Sequence, residues 1–281
     1  MGKIAVVTDS TAYLPDGVAD KYGVTVVPLH VVLGGWSGRE AVEVWPADVA
    51  AALGERRVQV TTSRPTPGQL AHAYRSTGAS AIVSVHLSSK LSGTADSARL
   101  AAQQVAADGI DVRVVDSRSV AMGLGFPVIA AAEAAAGGAD LACVQTAAVE
   151  AVAATKAFFY VDTLEHLRRG GRVTTASALF GTALAVKPLL VMDDGEIVLL
   201  EKVRTFSRAL LRLRELVLET AGEHAVDIAV HHLAAPARAT LLADDLRASL
   251  SGLQSLYLSE VGAVVGAHVG PGLLAVAVWR R

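Results

Sequence analysis

The sequence predicts an α/β protein in two domains: a mostly parallel α/β domain over residues 1–160 and an α+β domain over residues 161–281, with a ligand cleft between them. Three observations predict it. Up to residue 156, short β-branched runs alternate with Ala-rich helical stretches, the pattern of a parallel sheet covered by helices. Beyond about residue 160 the alternation gives way to hairpin signals mixed with helices. Several strand ends also run into hydroxyl-rich loops, and ligands sit at such ends in open α/β sheets.

Ile4 to Thr8 reads as the first strand, followed by the polar loop Asp9-Ser10-Thr11. That loop either faces a ligand, with Ser10 as a candidate contact, or is an Asx-type turn capping the next helix. Pro15 opens a short helix to Tyr22, and Val24 to Leu33 follows as a strand closed by the Gly34-Gly35 turn. A helix from Pro46 to Leu53 precedes the strand Val58 to Thr61, after which Thr62, Ser63 and Thr66 supply hydroxyls. Thr66-Pro67 starts the next helix.

Ala81 to Val85, short and mostly β-branched, is a buried strand that runs into Ser88-Ser89-Lys90-Leu91-Ser92-Gly93-Thr94. Ala95 to Ala107 then supplies good helix formers. A strand, a hydroxyl-rich turn and a helix N-terminus in succession make an anion site, because unpaired N–H groups and the helix dipole meet there. The plainer alternative is an N-cap with spare serines. If the strands ending at Thr61 and Val85 are parallel neighbours, Thr62 or Ser63 meets Ser92 over one ligand. Val112 to Asp116 is a further strand, Asp116-Ser117 repeats the acidic and hydroxyl ending, and helices follow over Ser119 to Ala136 and Asp140 to Lys156.

Asp162 to Arg169 is a capped helical turn stopped by Gly170-Gly171. Arg168 and Arg169 complement its C-terminus, whereas Arg172 lies past the stop and can hold an anion or a partner. Leu189 to Met192 and Ile197 to Val203 flank the hairpin signal Asp193-Asp194-Gly195, and Arg204 stands before a long helix, Phe206 to Thr220. Val226 to His232 is a strand whose adjacent His231 and His232 point to opposite faces and do not share a metal. A helix over Ala237 to Ser251 and a strand over Leu256 to Leu258 follow, and the strands Val264 to Val269 and Leu273 to Trp279 join through Gly270-Pro271-Gly272.

Composition narrows the function. With 52% hydrophobic but only 5% aromatic residues, the interior is aliphatic. A net charge of −2 and no basic stripe argue against nucleic acid. The single cysteine, Cys143, forms no intramolecular disulfide and fits a reducing, cytoplasmic compartment, and no signal peptide is expected. The longest stretch without Asp, Glu, Lys or Arg, Val261 to Trp279, is broken by glycines and does not read as a membrane span. Zinc and nucleotide signatures are missing, and so is a Gly-x-Ser-x-Gly elbow. Neutral donors around an anion pocket, in a chain with much aliphatic surface, describe a binder of an amphiphile with a carboxylate head. A lipid or ester hydrolase using Ser92 and His268 is the alternative.

The resemblance then becomes specific. Val7-Thr8-Asp9-Ser10-Thr11-Ala12, Thr62-Ser63-Arg64-Pro65-Thr66, Ser88 to Thr94, Val115-Asp116-Ser117 with Met122-Gly123-Leu124-Gly125, Leu167-Arg168-Arg169-Gly170-Gly171-Arg172-Val173, Lys187-Pro188 and Gly266-Ala267-His268-Val269-Gly270-Pro271-Gly272 resemble the DegV family of bacterial fatty-acid-binding proteins, in the family order. The resemblance implies a two-domain DegV-like fold with a long-chain fatty acid buried between the domains and no catalytic role, cofactor or metal. It implies that Thr62 and Ser92 hold the carboxylate with the Gly93 N–H and that His268 lies close by; the strand-end loops add Ser63 and Ser10 as candidate contacts. A separate fatty acid kinase would convert the presented carboxylate to an acyl-phosphate, meeting the carrier at Arg172 and Arg204. The expected state is a monomer, with peripheral membrane encounters.

Three positions depart from the family pattern: Arg64 for Gln, Lys90 for Gly and Ala267 for Thr. Lys90 is expected to point outward, because a buried unpaired ammonium is costly. Burying about fourteen methylenes contributes on the order of 10 kcal/mol before ordering costs, so tight binding follows. Phe158, Phe159, Phe180 and Leu184 are the expected pocket lining.

Overall fold

The computed structural model describes residues 4–55, 58–173 and 186–281. The first part of the chain runs β1 (Ile4–Asp9), α1 (Val18–Tyr22), β2 (Thr25–Val27), β3 (His30–Leu33), β4 (Trp36–Arg39), α2 (Pro46–Gly54), β5 (Val60–Ser63), α3 (Pro67–Ser76), β6 (Ala81–His86), α4 (Thr94–Ala106), β7 (Asp111–Asp116), α5 (Met122–Ala136) and α6 (Leu141–Ala154). The second runs β8 (Thr155–Tyr160), α7 (Glu165–Arg169), β9 (Lys187–Asp193), β10 (Glu196–Val203), α8 (Phe206–Ala221), β11 (Val226–His232), α9 (Pro236–Ser249), β12 (Leu253–Glu260), α10 (Ala263–Val269) and β13 (Leu274–Arg280).

These strands form three sheets. A four-stranded parallel sheet has the order β2-β1-β6-β7, and a six-stranded mixed sheet has the order β10-β9-β8-β13-β11-β12. A small antiparallel sheet, β4-β3-β5, stands apart. The chain therefore is α/β, with a parallel sheet early and a mixed sheet late. It passes between the two large sheets at Thr155, where α6 ends and β8 begins.

Helix α5 joins the two parts. From Met122 to Ala132 its sequence is apolar on all sides, as a stretch buried all round must be, and it packs on β1 and β6 of one sheet and on β8 and β13 of the other. Helix α8 is amphipathic instead: Ala209, Leu213, Leu216 and Val217 fall on one buried stripe, and the Thr205 hydroxyl caps its start by accepting from the Arg208 N–H at 3.3 Å. With α9 it covers the outer face of the mixed sheet, burying Leu242 and Leu246 against Ile228 and Val276. Strand β11 is buried along its whole length, which is why it reads as a run rather than an alternation.

Three expectations are corrected. Val24 to Leu33 is two strands in different sheets, separated at Pro28, which has no N–H to continue a ladder. Strand β5 is not a parallel neighbour of β6; it pairs antiparallel with β3, Thr62 opposite Val31 and Ser63 opposite His30. Val264 to Val269 is helix α10, not a strand. Its β-branched run suits either state by local pattern. Packing decides, because Ala263, Val264 and Ala267 join the core of the first part with Val31 and Val49.

Candidate ligand-binding site

Between the parallel and mixed sheets lies a cavity of about 330 Å³. Its walls are largely aliphatic and aromatic, including Leu87, Ala121, Phe158, Phe159, Leu167 and Ala277, each less than a tenth exposed. At one end stand Thr62, Ser63, Arg64, Ser92, Gly93, Arg172 and His268. Ser63 and Arg64 are exposed, and Thr62, Ser92, Arg172 and His268 are half-buried, so this polar end is the mouth. Among the described residues the lining holds two arginines and no carboxylate. Phe180 and Leu184 lie outside the described residues.

The turn Ser88 to Thr94 places Ser92 by committing its other hydroxyls. Ser88 Oγ is buried and donates across to the Gly195 carbonyl at 2.7 Å. Ser89 donates to Asp116 Oδ2 at 2.5 Å, which accounts for the acidic ending of β7. Ser92 is left at the cavity, 2.9 Å from Thr94 Oγ1. Gly93 is the N-cap of α4 with no side-chain cap, so α4 begins with the unpaired N–H groups of a helix end. The Arg64 guanidinium reaches the Gly93 carbonyl at 3.3 Å. Lys90 points outward, pairing with Asp194 at 3.1 Å and Glu196 at 3.7 Å.

His268 comes from the opposite side on α10, and its Nε2 lies 2.8 Å from Thr62 Oγ1. A Cβ on Gly170 would fall 2.5 Å from His268 Nδ1, so the glycine that stops α7 also admits the imidazole. Burial, reinforced by the Arg172 charge, pushes the His268 pKa down to about 4. The ring is therefore neutral at neutral pH. Arg172 itself donates to the carbonyls of Leu91, at 3.2 Å, and of Gly170. It lines the cavity at its half-buried mouth. Arg204 is exposed between β10 and α8 and does not line the cavity.

Ser10 is not at the cavity. Its hydroxyl donates to buried Glu40 and accepts from the Leu29 N–H at 3.0 Å, which leaves it no donor for a carboxylate. Asp9 takes the turn role: its carboxylate accepts from the Thr11 N–H and hydroxyl on one oxygen and the Leu87 N–H on the other. Asp9 also meets His86 Nδ1 at 3.0 Å, and His86 Nε2 meets Ser84 Oγ at 2.7 Å. That resembles a triad, but all three residues are fully buried and the Tyr74 hydroxyl donates to Ser84 at 2.9 Å, so no substrate reaches it.

The hydrolase constellation is not assembled. His268 is bonded to Thr62 rather than Ser92, and an imidazole with a pKa near 4 is a weak general base at neutral pH. His231, overlooked as a cavity residue in the sequence, lines the wall with both nitrogens engaged, accepting from the Met122 N–H at 3.2 Å and meeting Ser259 Oγ at 3.0 Å. It presents its ring to the interior as one more low-polarity surface. No group of metal-ligating side chains occurs among the described residues.

A family model described as "Uncharacterised protein, DegV family" matches residues 3–281. The chain belongs to the DegV family. A DegV domain-containing protein of Streptomyces coelicolor is 54% identical over 281 residues, covering 99% of each chain. Protein DegV of Bacillus subtilis is 37% identical over 277 residues, covering 97% of this chain and 98% of that one. Among solved structures, a Thermus thermophilus DegV family protein described for its fatty acid binding superposes with a TM-score of 0.93 at 32% identity, covering 99% of this chain and 100% of that one. Bacillus subtilis DegV, described as a fatty acid binding protein, superposes with a TM-score of 0.91 at 35% identity over the whole of both chains. The fold, with its parallel sheet and separate mixed sheet, is thus the DegV fold. Among the described residues no helix is long and apolar enough to cross a membrane.

Proposed function

We propose that this protein binds a long-chain fatty acid, with the acyl chain in the cavity and the carboxylate at Thr62, Ser92, the Gly93 N–H and His268, and that it presents the carboxylate to a partner kinase. The observation that carries the ligand class is the asymmetry of the lining: apolar walls, and at the mouth hydroxyls, an imidazole and two guanidiniums with no carboxylate. An anionic head on an apolar chain matches that division. Charge-assisted hydrogen bonds offset the desolvation of a carboxylate, and Arg64 and Arg172 supply positive charge beside it. The fatty acid binding of the related structures supports the same reading.

The carrier does no chemistry in this scheme. Its half-exposed mouth leaves a carboxylate oxygen reachable by a kinase, on which the oxygen would attack the γ-phosphorus of ATP and release ADP. Arg204, exposed and outside the cavity, and Arg172, half-buried at the mouth, are the proposed partner contacts. The carrier would act as a cytoplasmic monomer that meets membranes only peripherally.

Mass spectrometry of small molecules extracted from the natively purified protein tests the ligand. A stoichiometric fatty acid is expected; no lipid, together with no uptake of added palmitic or oleic acid, would overturn the reading. For the partner, Arg204→Ala should reduce acyl-phosphate formation by an added fatty acid kinase while fatty acid affinity is kept. Unchanged turnover would remove Arg204 from the interface.

A further inference from the structure

Helix α10 delivers Val264, Val265, His268 and Val269 to the cavity, yet it is only seven residues long and its N-cap, Gly262, has no side chain to cap it. The cap comes from 224 residues away. Glu40 Oε1 accepts from the Val264 N–H at 2.7 Å, and the Tyr13 hydroxyl accepts from the Val265 N–H at 3.2 Å while donating to Glu40 Oε1 at 3.0 Å. Ser10 donates to the other Glu40 oxygen. Glu40 is 1% exposed, so one buried carboxylate gathers three donors and two consecutive orphan N–H groups of α10 are satisfied from the first part of the chain.

The neighbouring backbone is shaped around this contact. A Cβ on Gly262 would fall 2.3 Å from Glu40 Oε1 and 2.5 Å from the Tyr13 ring, although its φ of −70° suits any residue. Space, not conformation, demands glycine there. Because His268 sits little more than one turn beyond the capped N–H groups on the same short helix, the cap sets the position of its ring relative to Thr62.

We propose that Glu40, with Tyr13, is a positioning residue of the head-group site, capping α10 from the opposite part of the molecule and so fixing His268 over Thr62. Ser10 belongs to the same device as the support of Glu40. The consequence for ligand release rests on the fatty acid reading above; the consequence for His268 does not.

The test pairs Glu40→Ala with Glu40→Gln, whose amide oxygen still accepts from Val264 and Tyr13. NMR titration of the His268 ring in the ligand-free protein is the first readout, and the release rate of bound palmitic acid the second. Glu40→Ala should move the His268 titration up from near 4 toward 6.5 and speed release about tenfold, and Glu40→Gln should restore most of both. Leu246→Ala, in the core under α9, serves as a variant of comparable stability loss that leaves both readouts alone. Should Glu40→Ala not fold, Gly262→Ala and Tyr13→Phe are expected to move the same readouts in the same direction. An unmoved His268 titration in these variants, or an equal shift in Leu246→Ala, would overturn the proposal. If the wild type takes up no palmitic acid, the titration still decides it.

Discussion

Thr62 Oγ1 and His268 Nε2 stand 2.8 Å apart across 206 residues of sequence, one on an antiparallel edge strand and the other on a short helix. This bond spans the half-exposed mouth of the cavity, joining its two sides. A carboxylate arriving there meets a hydroxyl and a neutral imidazole already oriented toward each other.

Thr62→Val keeps the shape of the side chain and removes its hydroxyl. Fatty acid affinity should fall about ten- to a hundredfold, consistent with one lost hydrogen bond to a charged group at roughly 1.5–3 kcal/mol. Ser92→Ala should act similarly. Equilibrium displacement of a fluorescent fatty acid checks both, with circular dichroism confirming the fold; unchanged affinity in both would remove these hydroxyls from the head-group site.

Arg64 lies across Gly93 at the exposed mouth, where its charge is partly screened. Arg64→Gln is expected to weaken binding modestly, about threefold, and to flatten its salt dependence. Titration calorimetry at two ionic strengths separates this from a packing effect, which would be independent of salt.

His268 titrates near 4 in the folded protein and near 6.5 when unfolded. Above pH 6.5 both states are neutral and the group has no effect. As pH falls from 6.5 to 4 the unfolded state takes up the proton first, so stability declines by on the order of 3 kcal/mol and then levels off. His231, also near 4 through burial, adds a loss of the same sign. Urea unfolding of wild type and His268→Gln at pH 7.5 and 5 should show a smaller acid loss in the variant; equal losses would mean that His268 is not depressed.

Two residues of one turn should differ sharply in their effect on stability. Ser88→Ala leaves the Gly195 carbonyl without its buried donor and should cost about 1–3 kcal/mol. Lys90→Ala breaks exposed pairs, with the ammonium side chain 44% exposed, and should cost under about 1 kcal/mol. Thermal melts of both, in the same buffer, provide the comparison.

The local pattern alone determined the strand and helix run through β6, α4 and β7, the hairpin at Asp194-Gly195 and the helix start at Thr66-Pro67, because each depends on neighbours a few residues apart. It also identified the Ser88 to Thr94 turn as a polar strand end, and the motif set pointed to the family. Tertiary structure decided the rest. Whether Ser10, Ser88, Ser89 or Ser92 faces a ligand turns on which hydroxyl finds a distant partner, and Glu40, Gly195 and Asp116 claimed the first three. The same holds for Val264 to Val269, β-branched enough to read as a strand, which is a helix because the first part of the chain supplies its cap and its packing. Hydrogen-bond partners and buried surface from segments far apart in sequence leave no local trace, so the cavity, its mouth and the bond from Thr62 to His268 exist only in the folded chain.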